Sequence, residues 1–113
     1  MDSSVQVTTH DEVTVVTVIG RIDLDVAEPL SDELARVAAE DHRDALVDLT
    51  RVRSMDSTGL AVLLTALTAL RRAGRRMELV LDQRRARRER RLSALADAFV
   101  VHHSVEGALL TRA

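Results

Sequence analysis

Two hydroxyl residues, Ser57 and Thr58, stand where a helix is expected to begin, within the stretch VDLTRVRSMDSTGLAVLL of residues 47–64. An apolar strand pattern precedes them, and leucines at helical spacing follow. At such a place the first backbone N–H groups lack intrahelical partners and the helix dipole is positive, so a negative charge is favoured there. The chemistry on offer is the holding of a negative charge, which is compatible with modification of a hydroxyl there. The plainer role of the same residues is capping, in which Asp56 or Ser57 takes up a free N–H and does nothing else. Gly59, next in line, would let another backbone approach the helix start closely. Met55 and Leu60 read as ordinary core neighbours.

Other candidate chemistry is weaker. Asp23 and Asp25 form a D-x-D pair after an apolar stretch, the arrangement of a haloacid-dehalogenase phosphatase nucleophile. Gly20 and Arg21 interrupt that stretch, however, and 113 residues are too few for such an enzyme. The sequence Asp56-Ser57-Thr58-Gly59 lacks the aspartic-protease spacing, and no second catalytic carboxylate is evident. His102 and His103, adjacent on a strand, would point to opposite faces and so cannot form a simple two-ligand metal site. No metal, other cofactor or catalytic activity is expected; the chain reads as a small binding module.

Composition narrows the partners. The chain has 46% hydrophobic and 30% charged residues, the balance of a folded domain, and its length suits a single one spanning residues 1–113. It contains no cysteine, which removes disulfides and thiol chemistry together. Phe99 is its sole aromatic residue, which leaves little to stack on bases or sugars. All 16 basic residues are arginine, yet the net charge is −2, so no global field draws the chain to polyanions. Direct nucleic-acid binding is not expected. The opening segment MDSSVQVTTHDEV shows no basic region followed by an apolar stretch, so no signal peptide is expected. No run approaches the roughly 20 apolar residues of a membrane span. The cytoplasm is the expected location.

These residues must be positioned by regular elements. Val5, Val7 and Thr9 alternate with polar residues, and residues 13–19 form a β-branched run, which predicts two neighbouring strands joined tightly at Asp11-Glu12. Asp25 with Glu28 looks like a capping box, with Pro29 in the first turn of a helix running to about residue 40. Leu30, Leu34, Val37 and Ala38 form its core face. A short strand at 45–49, a polar connection at 50–55, and a helix carrying Leu60, Leu63, Leu64, Leu67 and Leu70 follow. Arg71, Arg72 and Gly74 stop that helix. A strand at 77–81, an arginine-rich helix to about 98, a strand at 99–102 and a terminal helix capped by Ser104 complete the order ββαβαβαβα. Such alternation predicts an α/β fold with a mostly parallel sheet, an antiparallel edge strand and helices packed against it.

The pattern D-L-T-x-V-x-x-M-D-S-T-G-L after a strand and before a leucine-rich helix resembles the STAS domain of bacterial anti-sigma factor antagonists. GRIDLDVAEPL resembles that family's segment before its first helix, and LADAFVVHHSVEGAL its closing strand and helix, so roughly residues 5–110 are covered. The resemblance implies that Ser57 is phosphorylated by a partner that is both anti-sigma factor and serine kinase. It also implies that a phosphatase restores the unmodified form, and that Asp23, Asp56, Thr58 and Gly59 support partner contact. The same resemblance admits a scaffold subunit of a signalling complex, or a soluble partner of a membrane transport system, without a kinase switch. One segment departs from the family. ARRERRL at 86–92 carries charges where related domains have apolar residues, and Ala94 replaces a frequent glycine. Six arginines crowd into positions 84–91; their simplest role is a solvated helix face, and the sharper alternative is a patch for an acidic partner or nucleic acid.

Overall fold

The β-branched opening of the chain folds as the alternation predicts. Strand β1 (Ser4–His10) pairs antiparallel with β2 (Val13–Ile22) around Asp11-Glu12, with Asp11 at φ 47°. The computed structural model describes residues 3–40 and 43–111. Beyond β2, the strands β3 (Asp44–Met55), β4 (Met77–Val80) and β5 (Val101–His102) join in parallel, so the sheet order follows the chain order from β1 to β5. Helices α1 (Leu24–Glu40), α2 (Ser57–Arg72), α3 (Gln83–Arg88) and α4 (Arg90–Ala98) connect the parallel strands, and α5 (Val105–Leu110) ends the fold.

Period-two alternation sorts the strand residues between two cores. Val16, Val18, Val47, Leu49 and Leu79 face α1, α2 and α4 and join Leu34, Leu63, Leu70 and Leu95 in the main core. Val13, Val15, Leu46 and Val80 face the other way and are covered by α5 through Ala108, Val105 and Leu109. Helix α2 ends as expected. The N–H of Gly74 (φ 75°) bonds the Arg71 carbonyl and that of Arg75 bonds the Leu70 carbonyl, a Schellman closure. Ser104 caps α5, its Oγ accepting the Gly107 N–H at 2.9 Å. No helix among the described residues is long and apolar enough to cross a membrane.

Three local expectations are corrected. The arginine-rich helix is two helices, broken at Glu89 (φ −114°, ψ 115°), so the order gains one helix. An unbroken helix would have aligned Arg84, Arg88 and Arg91 with Leu92 and Leu95. The break lets Ala86 and the two leucines be buried while Arg84, Arg88 and Arg91 stay outside. Residues 50–55 are strand, not connection, because β2 continues to Ile22 and pairs with them through two register shifts. Helix α1 starts at Leu24, capped by Asp23 and not Asp25, so Pro29 lies beyond the first turn. Leu64 is 40% exposed, unlike its fully buried neighbour Leu63.

Candidate functional site

The site lies where β2 and β3 end side by side, with Ile22 opposite Met55 in the parallel register. Each chain then turns back into a helix, so the N-termini of α1 and α2 open at the same end of the sheet. A backbone bond ties the two turns together, the Asp56 N–H donating to the Ile22 carbonyl at 3.1 Å. Asp23 is the next residue after Ile22, which brings Asp23 and Asp56 to neighbouring turns although 33 positions separate them in sequence.

Both carboxylates are engaged with local amides. Asp56 is extended (φ −95°, ψ −178°) and its Oδ1 accepts the Gly59 N–H at 2.9 Å. Its carbonyl accepts the Leu60 N–H at 3.2 Å. Asp23 Oδ1 accepts the Asp25 N–H at 3.1 Å, and its carbonyl accepts from Val26 and Ala27 at 3.1 and 2.8 Å. Each therefore starts a helix, the capping role its residue type favours. Both are half-buried.

Ser57 and Thr58 occupy the first two positions of α2 and are exposed. Among the described residues neither hydroxyl has a hydrogen-bond partner. A serine nucleophile is activated by a base within hydrogen-bond reach. Among the described residues Ser57 has none, and its hydroxyl lies exposed at the positive end of the helix dipole. A negative charge there meets an end where the helix's first N–H groups lack intrahelical partners, while Asp56 and Asp23 oppose it.

Gly59 is buried, and the fit at that point is close. A Cβ there would lie 2.4 Å from Ile22 Cγ2 and 2.9 Å from the Ile22 carbonyl oxygen. The missing side chain is what allows α2 to start against the end of β2. Met55 is buried and Leu60 half-buried, both packed in the main core.

The sequence missed two features near the helices. Helix α2 carries no charged residue between Ser57 and Leu70, yet Thr58, Ala61, Leu64, Thr65, Thr68 and Ala69 are exposed along it. The absence of charge was readable; its exposure was not. The other is a partly buried pair on the α5 side of the sheet, where His102 Nε2 lies 2.9 Å from Glu78 Oε1. Among the described residues no group of three or more His, Asp or Glu could hold a metal ion.

With this geometry in place, likeness to known proteins becomes informative. A family model described as "STAS domain" matches residues 4–108. An anti-sigma-B factor antagonist of Staphylococcus epidermidis is 28% identical over 106 residues, covering 94% of this chain and 98% of the relative. The crystal structure of an anti-sigma factor antagonist from Mycobacterium paratuberculosis superposes with a TM-score of 0.82 at 27% identity, covering 97% of this chain and 93% of that one. The Bacillus cell fate determinant SpoIIAA in its phosphorylated form shares the fold, with a TM-score of 0.75 at 18% identity over 97% of this chain and 100% of that chain.

Proposed function

The chain belongs to the STAS domain family, and from that membership we propose that it is an anti-sigma factor antagonist of the cytoplasm, switched by phosphorylation of Ser57. The observation that carries the proposal is the exposed hydroxyl of Ser57 in the first turn of α2, which has no hydrogen-bond partner among the described residues. The names of the relatives supply the partner class.

In this reading the unmodified chain docks an anti-sigma factor with serine kinase activity through the start of α2 and thereby frees a sigma factor. Ser57 and Thr58 make the contact, with Asp23 and Asp56 at its border, and Gly59 sets the position of the helix start. The kinase transfers the γ-phosphoryl group of ATP to Ser57 Oγ. The serine proton leaves to the kinase's base and ADP departs. The phosphate adds about −1.5 to −2 charge at pH 7. Free N–H groups at the helix start lower its cost within the chain, while a partner surface shaped for a neutral hydroxyl and two aspartates rejects it. A phosphatase restores the hydroxyl by hydrolysis of the ester.

Binding of wild type, Ser57→Ala and Ser57→Asp to candidate anti-sigma kinases of the same genome tests the proposal, together with intact mass after incubation with ATP. The alanine form should bind and gain no phosphate, and the aspartate form should bind roughly tenfold or more weakly, the effect of placing one like charge in a desolvated contact. Equal binding by both variants, with no kinase adding mass to wild type, would reduce Ser57 to a helix-start residue and favour a scaffold role.

A further inference from the structure

The solvent face of the helices over the main core changes charge from α1 through α2 to the α3–α4 pair. On α1, Asp25, Glu28 and Asp32 are exposed, and the one exposed arginine, Arg36, is paired with Glu33. The exposed strip of α2 has no charge between Ser57 and Leu70. On α3 and α4, Arg84, Arg87, Arg88, Arg90 and Arg91 are exposed and Arg85 is half-buried. Helix α2 touches α1 on one side and α4 on the other, which makes it the middle of the three.

The arginines are uncompensated. Among the described residues none of the six makes an ion pair or a side-chain hydrogen bond. Glu89, the one acid between positions 83 and 96, directs its Oε1 to the Arg91 backbone N–H at 3.1 Å. Crowding like charges within two short helices destabilises them. Exposed guanidiniums contribute nothing to the core below, which Ala86, Leu92 and Leu95 fill. Arg85, Arg87 and Arg88 stand in the last turn of α3, where positive charge is favourable, but Arg90 and Arg91 open α4, where it is not, and the crowding of all six is not explained by folding.

We propose that the exposed arginines of α3 and α4 form a docking surface for an acidic segment of a partner protein, engaged together with the uncharged strip of α2. The proposal rests on the docking role given above to the start of α2. Helix α3 follows the carboxyl end of β4 as α2 follows that of β3, so Arg84 and Ser57 lie at the same end of the sheet. A charge-depleted strip with a charged border is the general anatomy of a protein interface. Planar guanidinium forks match carboxylates in pairs, which suits acidic side chains. Nucleic acid is disfavoured, because the lone aromatic Phe99 is only 8% exposed and the acidic face of α1 lies across the same surface. The opposite signs of the two borders fix which way round the partner sits.

Two charge-matched double variants test this, Arg87→Gln/Arg88→Gln on α3 and Arg71→Gln/Arg72→Gln at the far end of α2, each checked by circular dichroism and thermal unfolding. All four side chains are exposed, so both proteins should fold as wild type does. Binding is measured against the same candidate anti-sigma factors across a salt series, and against a 20-base-pair DNA duplex. The α3 variant should lower the association rate roughly tenfold at low salt and flatten the salt dependence, while the α2 variant leaves both near wild type. Equal effects from the two variants, no effect from either, or no binding to any anti-sigma factor would overturn the assignment. So would duplex DNA binding that is lost with the α3 arginines while anti-sigma binding is kept. If Ser57→Asp abolishes binding and the arginine variants do not, the switch stands and the arginine surface falls; the converse result removes the switch and keeps the surface.

Discussion

At the site, each residue has a job set by its immediate geometry. Asp23 and Asp56 hold helix starts with their carboxylates, while among the described residues the Ser57 and Thr58 hydroxyls have no hydrogen-bond partner. Gly59 is needed for lack of space, since any Cβ would run into Ile22. The backbone carbonyl of Ile22 is one of the atoms in the way, and it also accepts the Asp56 N–H, so neither side yields freely. Gly59→Ala should therefore destabilise the fold by about 1–3 kcal/mol, read from urea unfolding midpoints. A change under about 0.3 kcal/mol would mean that the helix start shifts freely and that the site is looser than its contacts imply. Asp23 shows how far residue types carry. Its pattern allowed a nucleophile or a partner contact, and the position of its Oδ1 beside the Asp25 N–H adds the capping role that the sequence put on Asp25.

Elements depart from their sequence signals where a neighbour supplies what the local pattern lacks. Strand β3 continues through Arg51 and Arg53 because β2 extends beside it as far as Ile22, a partner 33 residues away from Met55 that no local periodicity reveals. Helix α2 is the opposite case, since its stop was legible in Arg71, Arg72 and Gly74. At Gly74 the φ of 75° is the requirement, and a Cβ there would meet nothing within 4 Å. Gly74→Ala should thus cost only the backbone penalty of the left-handed region, about 1–2 kcal/mol, without altering partner binding. A loss of binding in equilibrium titrations would show that the closure of α2 reaches the site at its other end.

For the whole molecule, one main core unites α1, α2 and α4 with the sheet, and α5 closes a smaller one behind it. Leu63 and Leu70 are fully buried on the inner side of the helix whose outer side is proposed to dock partners. Leu63→Ala should cost about 2–5 kcal/mol and still give a single unfolding transition when followed by circular dichroism and fluorescence of an attached dye. Two separated transitions would show that the helical face unfolds apart from the sheet. At this scale the charges also gain an order, mainly acidic on α1, uncharged along α2 as far as Leu70 and basic on α3 and α4, although the net charge is only −2.

The amino-acid sequence by itself determined the class of fold, the antiparallel edge hairpin, the start of α2 within Asp56-Ser57-Thr58-Gly59 and the motif carrying the family likeness. Those features rest on local causes: period-two and period-three-to-four apolar spacing, turn residues, and a carboxylate beside unpaired amides. Tertiary structure decided which aspartate caps α1, how far β3 runs, where the arginine-rich segment breaks and which face of α2 meets water. Each of these depends on what packs alongside from a distant part of the chain. Ile22 beneath Gly59 is the plainest case: the glycine is visible in the sequence, and the reason for it lies 37 positions earlier.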